Sequence, residues 1–388
     1  VKPIYLDYNG TTPHDPEVVA AMRPFLEEEF GNPSSGHLYA VKPRQALDAA
    51  RRQVAGLLGC SPEEIVFTSG GTEANNWAIT GTARALRGRG RHIVTSAFEH
   101  PAVLNVCAFL KKEGFEITYL PVDQFGRVDV EDVRAALRPD TILITIMHAN
   151  NEVGTIQPIE EMAALARSRG VRMHTDAAQS PGKIPVDVNA LGIDLLSMAG
   201  HKLYAPKGVG ALYIRRGVTL ETFMHGAGQE MGRRAGTENI LEIVGLGKAC
   251  EVAARNREQT GRHMRAMRDR LYTAIAGGLT EVRLNGHPEM RLPNTLSLSF
   301  LGLEANRILE AIGLEVAASA GAACHADSVE ISHVLKAMAV PVEWAKGTLR
   351  LTTGRMTTAS EIDRAAEVII HAVKAMRSKG GPRGEGGG

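Results

Sequence analysis

From about residue 44 to 215 the chain alternates short β-rich runs with stretches of helical periodicity. This alternation constrains the fold more than any other feature, because it calls for a parallel sheet with helices on its faces. A helical pattern over 44–58 precedes EIVFTSG (64–70), and a helix opens near Thr72. HIVTSAF (92–98), EITYLPV (116–122), TILITIMHA (141–149), VRMHTDAA (171–178) and DLLSMAG (194–200) continue the strand series. The expected class is therefore α/β, with a mostly parallel sheet. Ligands in such sheets collect at the carboxyl ends of the strands. Residues just past each run are the first place to look for chemistry.

Different material follows. A long helical segment over about 238–276 leads to RLPNTLSLSF (291–300), which alternates like a half-exposed strand. After it come a helix near 304–312, strand-like TLRLTTG (348–354) and a last helix at 360–378. These read as a small α+β domain that the N-terminal strand joins. The expected division is a large domain over 14–255 and a small one from 1–13 and 256–377. The tail 378–388, SKGGPRGEGGG, lacks apolar anchors and reads as disordered. A chain of 388 residues is long enough for two cores.

Composition works by exclusion. With 44 Lys+Arg against 43 Asp+Glu the net charge is +1, so no basic field argues for nucleic acid. No apolar run approaches the roughly 18 residues of a membrane span. Residues 1–12 lack the pattern of a signal peptide. Cys60, Cys107, Cys250 and Cys324 are scattered, forming neither a disulfide framework nor a paired metal site. That fits the reducing cytoplasm, where a lone thiol stays reactive.

Several strand-end fragments carry polar residues that ask for an explanation. In SMAGHKLYAPKG (197–208), Lys202 follows a buried run. Burying an ammonium is costly, so such a lysine tends to be functional or neutral; a solvated strand-end lysine is commoner, and Lys207 is read that way. In HTDAAQ (174–179), Asp176 needs a cationic or hydrogen-bonding partner. A protonated pyridine nitrogen serves, with Gln179 reaching a ring oxygen; so does a helix starting at Ala177. TSGGTEANN (68–76) is either a phosphate cradle at a helix N-terminus or a plain turn with Thr72 as N-cap. It matches neither GxxxxGK[ST] nor GxGxxG, and GAGQEMG (226–232) has the wrong spacing and no preceding strand. His100 in FEHP (98–101) can stack on a flat cofactor or cap a helix. Asn151 in HANNEVG (148–154) is a polar contact or a turn residue. Cys324 in ASAGAACHADS (318–328) has no apolar periodicity and reads as a loop cysteine, with His325 beside it. Arg350 can clamp a carboxylate or form a surface salt bridge.

In order along the chain, YLDYNGTTP (5–13), FGNPSSGH (30–37), FTSGGTEANN (67–76), EH (99–100), HANNEVG, HTDAAQ, GHK (200–202), GRRAGTEN (232–239), GAACHAD (321–327) and LRLTTGR (349–355) appear. Together they resemble the class V aminotransferase-like cysteine desulfurases over nearly the whole chain. The resemblance implies a fold-type I, pyridoxal 5′-phosphate-dependent homodimer, with a mostly parallel seven-stranded sheet in its large domain and its site at the subunit interface. It makes Lys202 the lysine that carries the cofactor, Asp176 the partner of the ring nitrogen and Gln179 that of the ring oxygen. His100 would stack on the ring and relay protons. Gly71, Thr72 and His201 would hold the phosphate, with Thr237 from the other subunit. Asn151 would touch cofactor and substrate, Arg350 would hold the substrate carboxylate, and Cys324 would form a persulfide. No metal is implied. The implied reaction converts L-cysteine to L-alanine and passes the sulfur to an acceptor or scaffold protein, as in iron–sulfur cluster assembly. One departure stands out. Many of these enzymes have Ser two residues before the histidine of the lysine motif, where this chain has Ala199. That change and GAACHAD are similar to selenocysteine lyases, which release selenide. The length from Cys324 to Val334 is similar to desulfurases with a long mobile catalytic loop.

Overall fold

The computed structural model describes residues 2–325 and 328–379. Residues 380–388 of the expected tail lie outside them. Ser378 and Lys379, also assigned to that tail, continue the last helix instead.

The N-terminal strand is β1 (Ile4–Tyr5). The large sheet is built from β2 (Ile65–Thr68), β3 (His92–Ser96), β4 (Glu116–Leu120), β5 (Thr141–Thr145), β6 (Arg172–Asp176), β7 (Leu195–Ala199) and β8 (Gly210–Ile214). Its order is β2-β8-β7-β6-β5-β3-β4. The five strands from β3 to β7 run parallel, while β8 is antiparallel to both β2 and β7. Helices α1 (Pro16–Glu27), α2 (Val41–Leu58), α3 (Gly71–Ala85), α4 (Pro101–Lys112), α5 (Val130–Ala136), α6 (Ile159–Ser168), α7 (Val188–Leu191) and α8 (Ile240–Gly278) accompany it. On one face Val54 and Leu58 of α2, Met162 of α6 and Ile243 of α8 pack against Phe67, Ile144 and Leu196. On the other, α3 and α4 supply Ile79, Ala83, Val103 and Leu110 over Ile93 and Leu143. Covered on both faces, most of the strands are continuous apolar runs rather than alternating ones.

The remaining strands are β9 (Val282–Asn285), β10 (Thr295–Phe300), β11 (Val316–Ala317), β12 (Ser319–Ala320), β13 (Ala322–His325), β14 (Ser328–Ile331) and β15 (Thr348–Thr352). With them come α9 (Ala305–Ile312), α10 (His333–Ala337), α11 (Val342–Ala345) and α12 (Ala359–Lys379). An antiparallel sheet of order β12-β15-β10-β9 packs Leu298, Phe300 and Leu349 against Leu271 and Ile275 of α8 and Ile369 of α12. β1 pairs in parallel with β11. The expectation that 291–300 is half exposed is wrong for β10, all of which is buried. It lies between β15 and β9, and its hydroxyl face is satisfied inside the protein: Ser299 Oγ meets Thr348 Oγ1 at 2.7 Å and accepts from Asn285 Nδ2 at 2.8 Å. Helix α8 runs unbroken across residue 255. Among the described residues no helix is long and apolar enough to cross a membrane.

Candidate active site

A cavity of about 360 Å³ opens where β6 and β7 end, beside the first turn of α3. It gathers nine of the residues singled out in the sequence: Gly71, Thr72, His100, Asn151, Asp176, Gln179, His201, Lys202 and Arg350. It also brings Asn9, Gly10 and Asn75 to the wall, which sequence reasoning missed.

Lys202 sits in the tight connection from β7 to its antiparallel neighbour β8. Gly200 N–H donates to Val209 O at 3.0 Å, and a Cβ on Gly200 would lie 3.0 Å from that oxygen, so the turn has no room for a side chain. Lys202 Nζ donates to the carbonyls of Asn9 and Gly10, each at 2.6 Å. Neither acceptor is charged. Burial, with the Arg350 charge adding to it, pulls the amine pKa down to about 8 against the opposing pull of Asp7 and Asp176.

Asp176 ends β6 and is only 5% exposed. Its carboxylate accepts from Asn75 Nδ2 at 2.7 Å and from Ala178 N–H at 2.9 Å. No helix begins at Ala177, so the capping alternative falls away in favour of a turn. Asn75 lies three to four residues after Gly71 and Thr72, hence on the same face of α3. That spacing was the available signal for it. The N-cap of α3 is Gly70, with φ of 152°, and not Thr72, which stands exposed in the first turn. The N–H groups of that turn have no intrahelical acceptor and suit an anion. A Cβ on Gly71 would lie 3.2 Å from Ala199 Cβ, so the cradle is walled by small residues.

His100 caps α4, its Nδ1 accepting from Ala102 N–H at 3.1 Å, and it also lines the cavity as an exposed residue. Desolvation by the surrounding protein lowers its pKa, with Lys202 and His333 adding and Asp176 opposing. His201 Nδ1 meets Thr11 Oγ1 at 3.2 Å. Burial, with Lys202 and Lys207 nearby, pulls its pKa to about 4. Exposed Lys207 is otherwise a surface residue.

Gln179 is buried. Its Nε2 donates to Asn9 O at 3.0 Å, and its Oε1 accepts from Lys183 Nζ at 2.7 Å. Arg350, on β15, is no surface residue: Nη2 donates to Asp7 Oδ1 at 2.8 Å, Nη1 to Asn151 O at 3.3 Å, and Nε is buried without a partner. A buried donor left free invites an acceptor. Behind the cavity, buried Glu99 accepts from Ser96 Oγ at 2.7 Å and Met147 N–H at 2.9 and 3.0 Å. Its own carbonyl accepts from His333 Nε2 at 2.8 Å.

The backbone of Cys324 pairs with Val329 in the β13–β14 hairpin, so it belongs to a strand and not a loop. The alternation is carried by the partner strand SVEI, which is why Cys324's own small-residue run hid it. The Cys324 side chain lies outside the described residues, as do Ala326 and Asp327. Thr237 is exposed on the loop before α8 and is not among the residues that line this cavity. Among the described residues no group of three or more His, Cys, Asp or Glu could hold a metal.

The walls fit pyridoxal phosphate. They offer an amine of lowered pKa, a fixed carboxylate for a pyridinium and a helix N-terminus for a phosphate. The aminotransferase class-V family model matches residues 4–365. The cysteine desulfurase IscS of Dictyoglomus turgidum is 49% identical over 376 residues, covering 97% of this chain and 95% of that protein. A solved NifS-like protein superposes with TM-score 0.91 at 36% identity, covering 97% of this chain and all of that one. SspA, solved in complex with cysteine, gives TM-score 0.80 at 37% identity over 92% of this chain and all of that one. The cofactor of such proteins is pyridoxal phosphate. With its fold and its cofactor site in agreement, the chain belongs to the aminotransferase class-V family, within its cysteine desulfurases.

Proposed function

We propose that this enzyme takes the sulfur of L-cysteine onto Cys324, releases L-alanine and hands the sulfur to an acceptor protein. The observation that carries the reading is the meeting of Lys202, Asp176 and Arg350 in one cavity, in a chain so similar to proteins named cysteine desulfurase.

When bound, pyridoxal phosphate supplies an electron sink for charge developing on the substrate's α-carbon. Lys202, with a pKa near 8, holds a useful fraction of neutral amine at neutral pH and takes the α-proton onto Nζ. Asp176, fixed by Asn75 and the Ala178 N–H, faces the ring nitrogen. Gly71, Thr72 and His201 hold the phosphate, with Thr237 of a second subunit. Gln179 meets the ring oxygen and His100 covers the ring. Arg350 and Asn151, both on the cavity wall, hold the substrate carboxylate. The Cys324 thiolate then attacks the substrate sulfur: an S–S bond forms, and the C–S bond breaks with its electron pair left on the carbon side. Proton uptake there completes alanine, with His100 as relay.

We take 14–255 and 1–13 with 256–377 as the two domains, and the homodimer as the working unit. Exposed Phe30, Leu38 and Tyr39, with the Phe30 and Tyr39 rings 5.7 Å apart, support a surface covered by a second copy. The free thiols of Cys60, Cys107 and Cys250 support a cytoplasmic setting, and iron–sulfur cluster assembly is the pathway we assign.

The test is mass analysis of Cys324 after incubation with cysteine, alongside alanine release. An added sulfur on Cys324 and its loss in Cys324→Ala, together with desulfuration, are expected. Full cysteine turnover by Cys324→Ala would sink the assigned role. Turnover of selenocysteine alone would instead favour a selenocysteine lyase, a reading to which Ala199 lends weight.

A further inference from the structure

We propose that Lys183 is a positioning residue that fixes which end of the Gln179 amide faces the cofactor. This inference rests on the reading of Gln179 as the ring-oxygen contact. A glutamine side chain can present either its N–H or its oxygen to a neighbour, and the two ends differ little in shape. Only the N–H end can stabilise an anionic ring oxygen. The amide therefore needs something that distinguishes its ends.

Lys183 provides it. Its side chain is 7% exposed, one helical turn's spacing beyond Gln179 in sequence. Nζ donates to Gln179 Oε1 at 2.7 Å and to Asn9 Oδ1 at 3.2 Å. Turning the amide over would take away the oxygen to which Nζ donates and would set Oε1 against Asn9 O, two acceptors face to face. With Oε1 held, Nε2 is directed to Asn9 O, the carbonyl that also accepts from Lys202 Nζ. Asn9 is itself fixed, donating through Nδ2 to Thr295 Oγ1 at 2.8 Å and accepting at Oδ1 from Asn294 Nδ2 at 2.9 Å. Lys183, Gln179, Asn9 and Lys202 thus form one connected set with a single sense of donation.

The printed partners of Nζ are two acceptors, and neither is a carboxylate. A neutral amine has the two N–H groups this requires, and burial beside the Lys202 and Arg350 charges favours that neutral form. Lys183 needs to donate but not to carry charge.

The readout is the pH at which the visible absorbance band of the bound cofactor changes form. That titration reports the proton shared between the Lys202 nitrogen and the ring oxygen. A donor on the ring oxygen draws charge from it and lets the proton leave at lower pH. In Lys183→Met holoenzyme the amide keeps only its bond to Asn9 O as a restraint, and the midpoint is expected to rise by up to about one unit, the scale of one neutral hydrogen bond. Gln179→Leu is expected to raise it similarly. In the Gln179→Leu background, Lys183→Met is expected to add nothing. A shift of equal size in both backgrounds would mean that Lys183 acts by charge or by general disturbance, overturning the inference. So would an unchanged midpoint in Lys183→Met when Gln179→Leu moves it, while leaving the ring-oxygen reading of Gln179 intact. If neither variant moves the midpoint, the Gln179 reading falls first. Should Lys183→Met not fold, Lys183→Gln, whose shorter side chain does not reach Oε1 as Nζ does, is read by the same criteria.

Discussion

A buried amine with a pKa near 8 has a consequence before any substrate arrives. Lys202 must be neutral to attack the cofactor's aldehyde, and its folded pKa lies below the usual 10.5. Lowering pH below about 8 therefore protonates it and slows loading, by about tenfold per unit. We expect the rate at which apoenzyme gains its visible band, after pyridoxal phosphate is added, to climb to about pH 8 and then level off. A climb continuing to pH 10 would show that burial does not depress this amine. Arg350 makes a second case. Two of its five N–H groups are engaged by Asp7 and Asn151, and the rest of the planar fork is left for a carboxylate. Lys cannot reproduce that geometry. Arg350→Lys is expected to raise KM for cysteine by about ten- to a hundredfold, the worth of one charged hydrogen bond, with kcat less affected. An unchanged KM in steady-state assays would remove Arg350 from the substrate. The residues legible in the sequence were those at strand ends, where Lys202, Asp176 and His100 break apolar runs. Asn9, Asp7 and Lys183 were not legible. Asn9 and Asp7 matter through partners far away in the chain, and Lys183 through distant Asn9 as well as Gln179 four residues before it.

The elements show the same division. The runs of β2, β3, β5, β6 and β7 stand out because helices bury both of their faces, whereas edge strand β4 is buried only at Leu120. Strand β8 has a similar run, but only the three-dimensional arrangement reveals that it returns antiparallel and so makes Lys202 a turn residue. Helix α3 was legible at its glycine start, whereas its cap at Gly70 depends on a backbone conformation that side chains rarely adopt. The segment GAGQEMG was misleading as a nucleotide motif. In the structure Glu230 is its anchor, accepting from both Arg51 nitrogens at 2.8 and 2.6 Å and from Phe67 N–H at 2.8 Å. Glu230 and Met231 both have positive φ, of 48° and 60°, so the contact holds a conformation costly for non-glycine residues. Breaking a buried pair strands the other charge, here Arg51, beneath α2. Glu230→Ala is expected to lose about 3–5 kcal/mol of stability in urea unfolding. A loss under about 0.5 kcal/mol, the range of ordinary surface changes, would show that this pair does not anchor the segment.

At the scale of the whole molecule, the exposed position of Thr237 matters most. The phosphate cradle in this chain has the α3 N-terminus and His201, but no side-chain hydroxyl from strand β7, where Ala199 stands. A hydroxyl supplied by a second copy would count for more in such a site. If Thr237 acts across the interface, a Thr237→Ala homodimer should bind pyridoxal phosphate about ten- to a hundredfold more weakly, the worth of one hydrogen bond to a charged group. Hybrid dimers then decide between the two geometries. Pairing a Lys202→Ala subunit with a Thr237→Ala subunit leaves one site with an intact Lys202. If Thr237 reaches across, that site receives its hydroxyl from the Lys202→Ala partner and binds cofactor like the wild type. If Thr237 serves its own chain, the same site lacks the hydroxyl and binds as weakly as the Thr237→Ala homodimer. Cofactor affinity, read from the visible band that only Lys202 sites develop, separates the two. A protein that sediments as a monomer with wild-type affinity would overturn the shared site altogether.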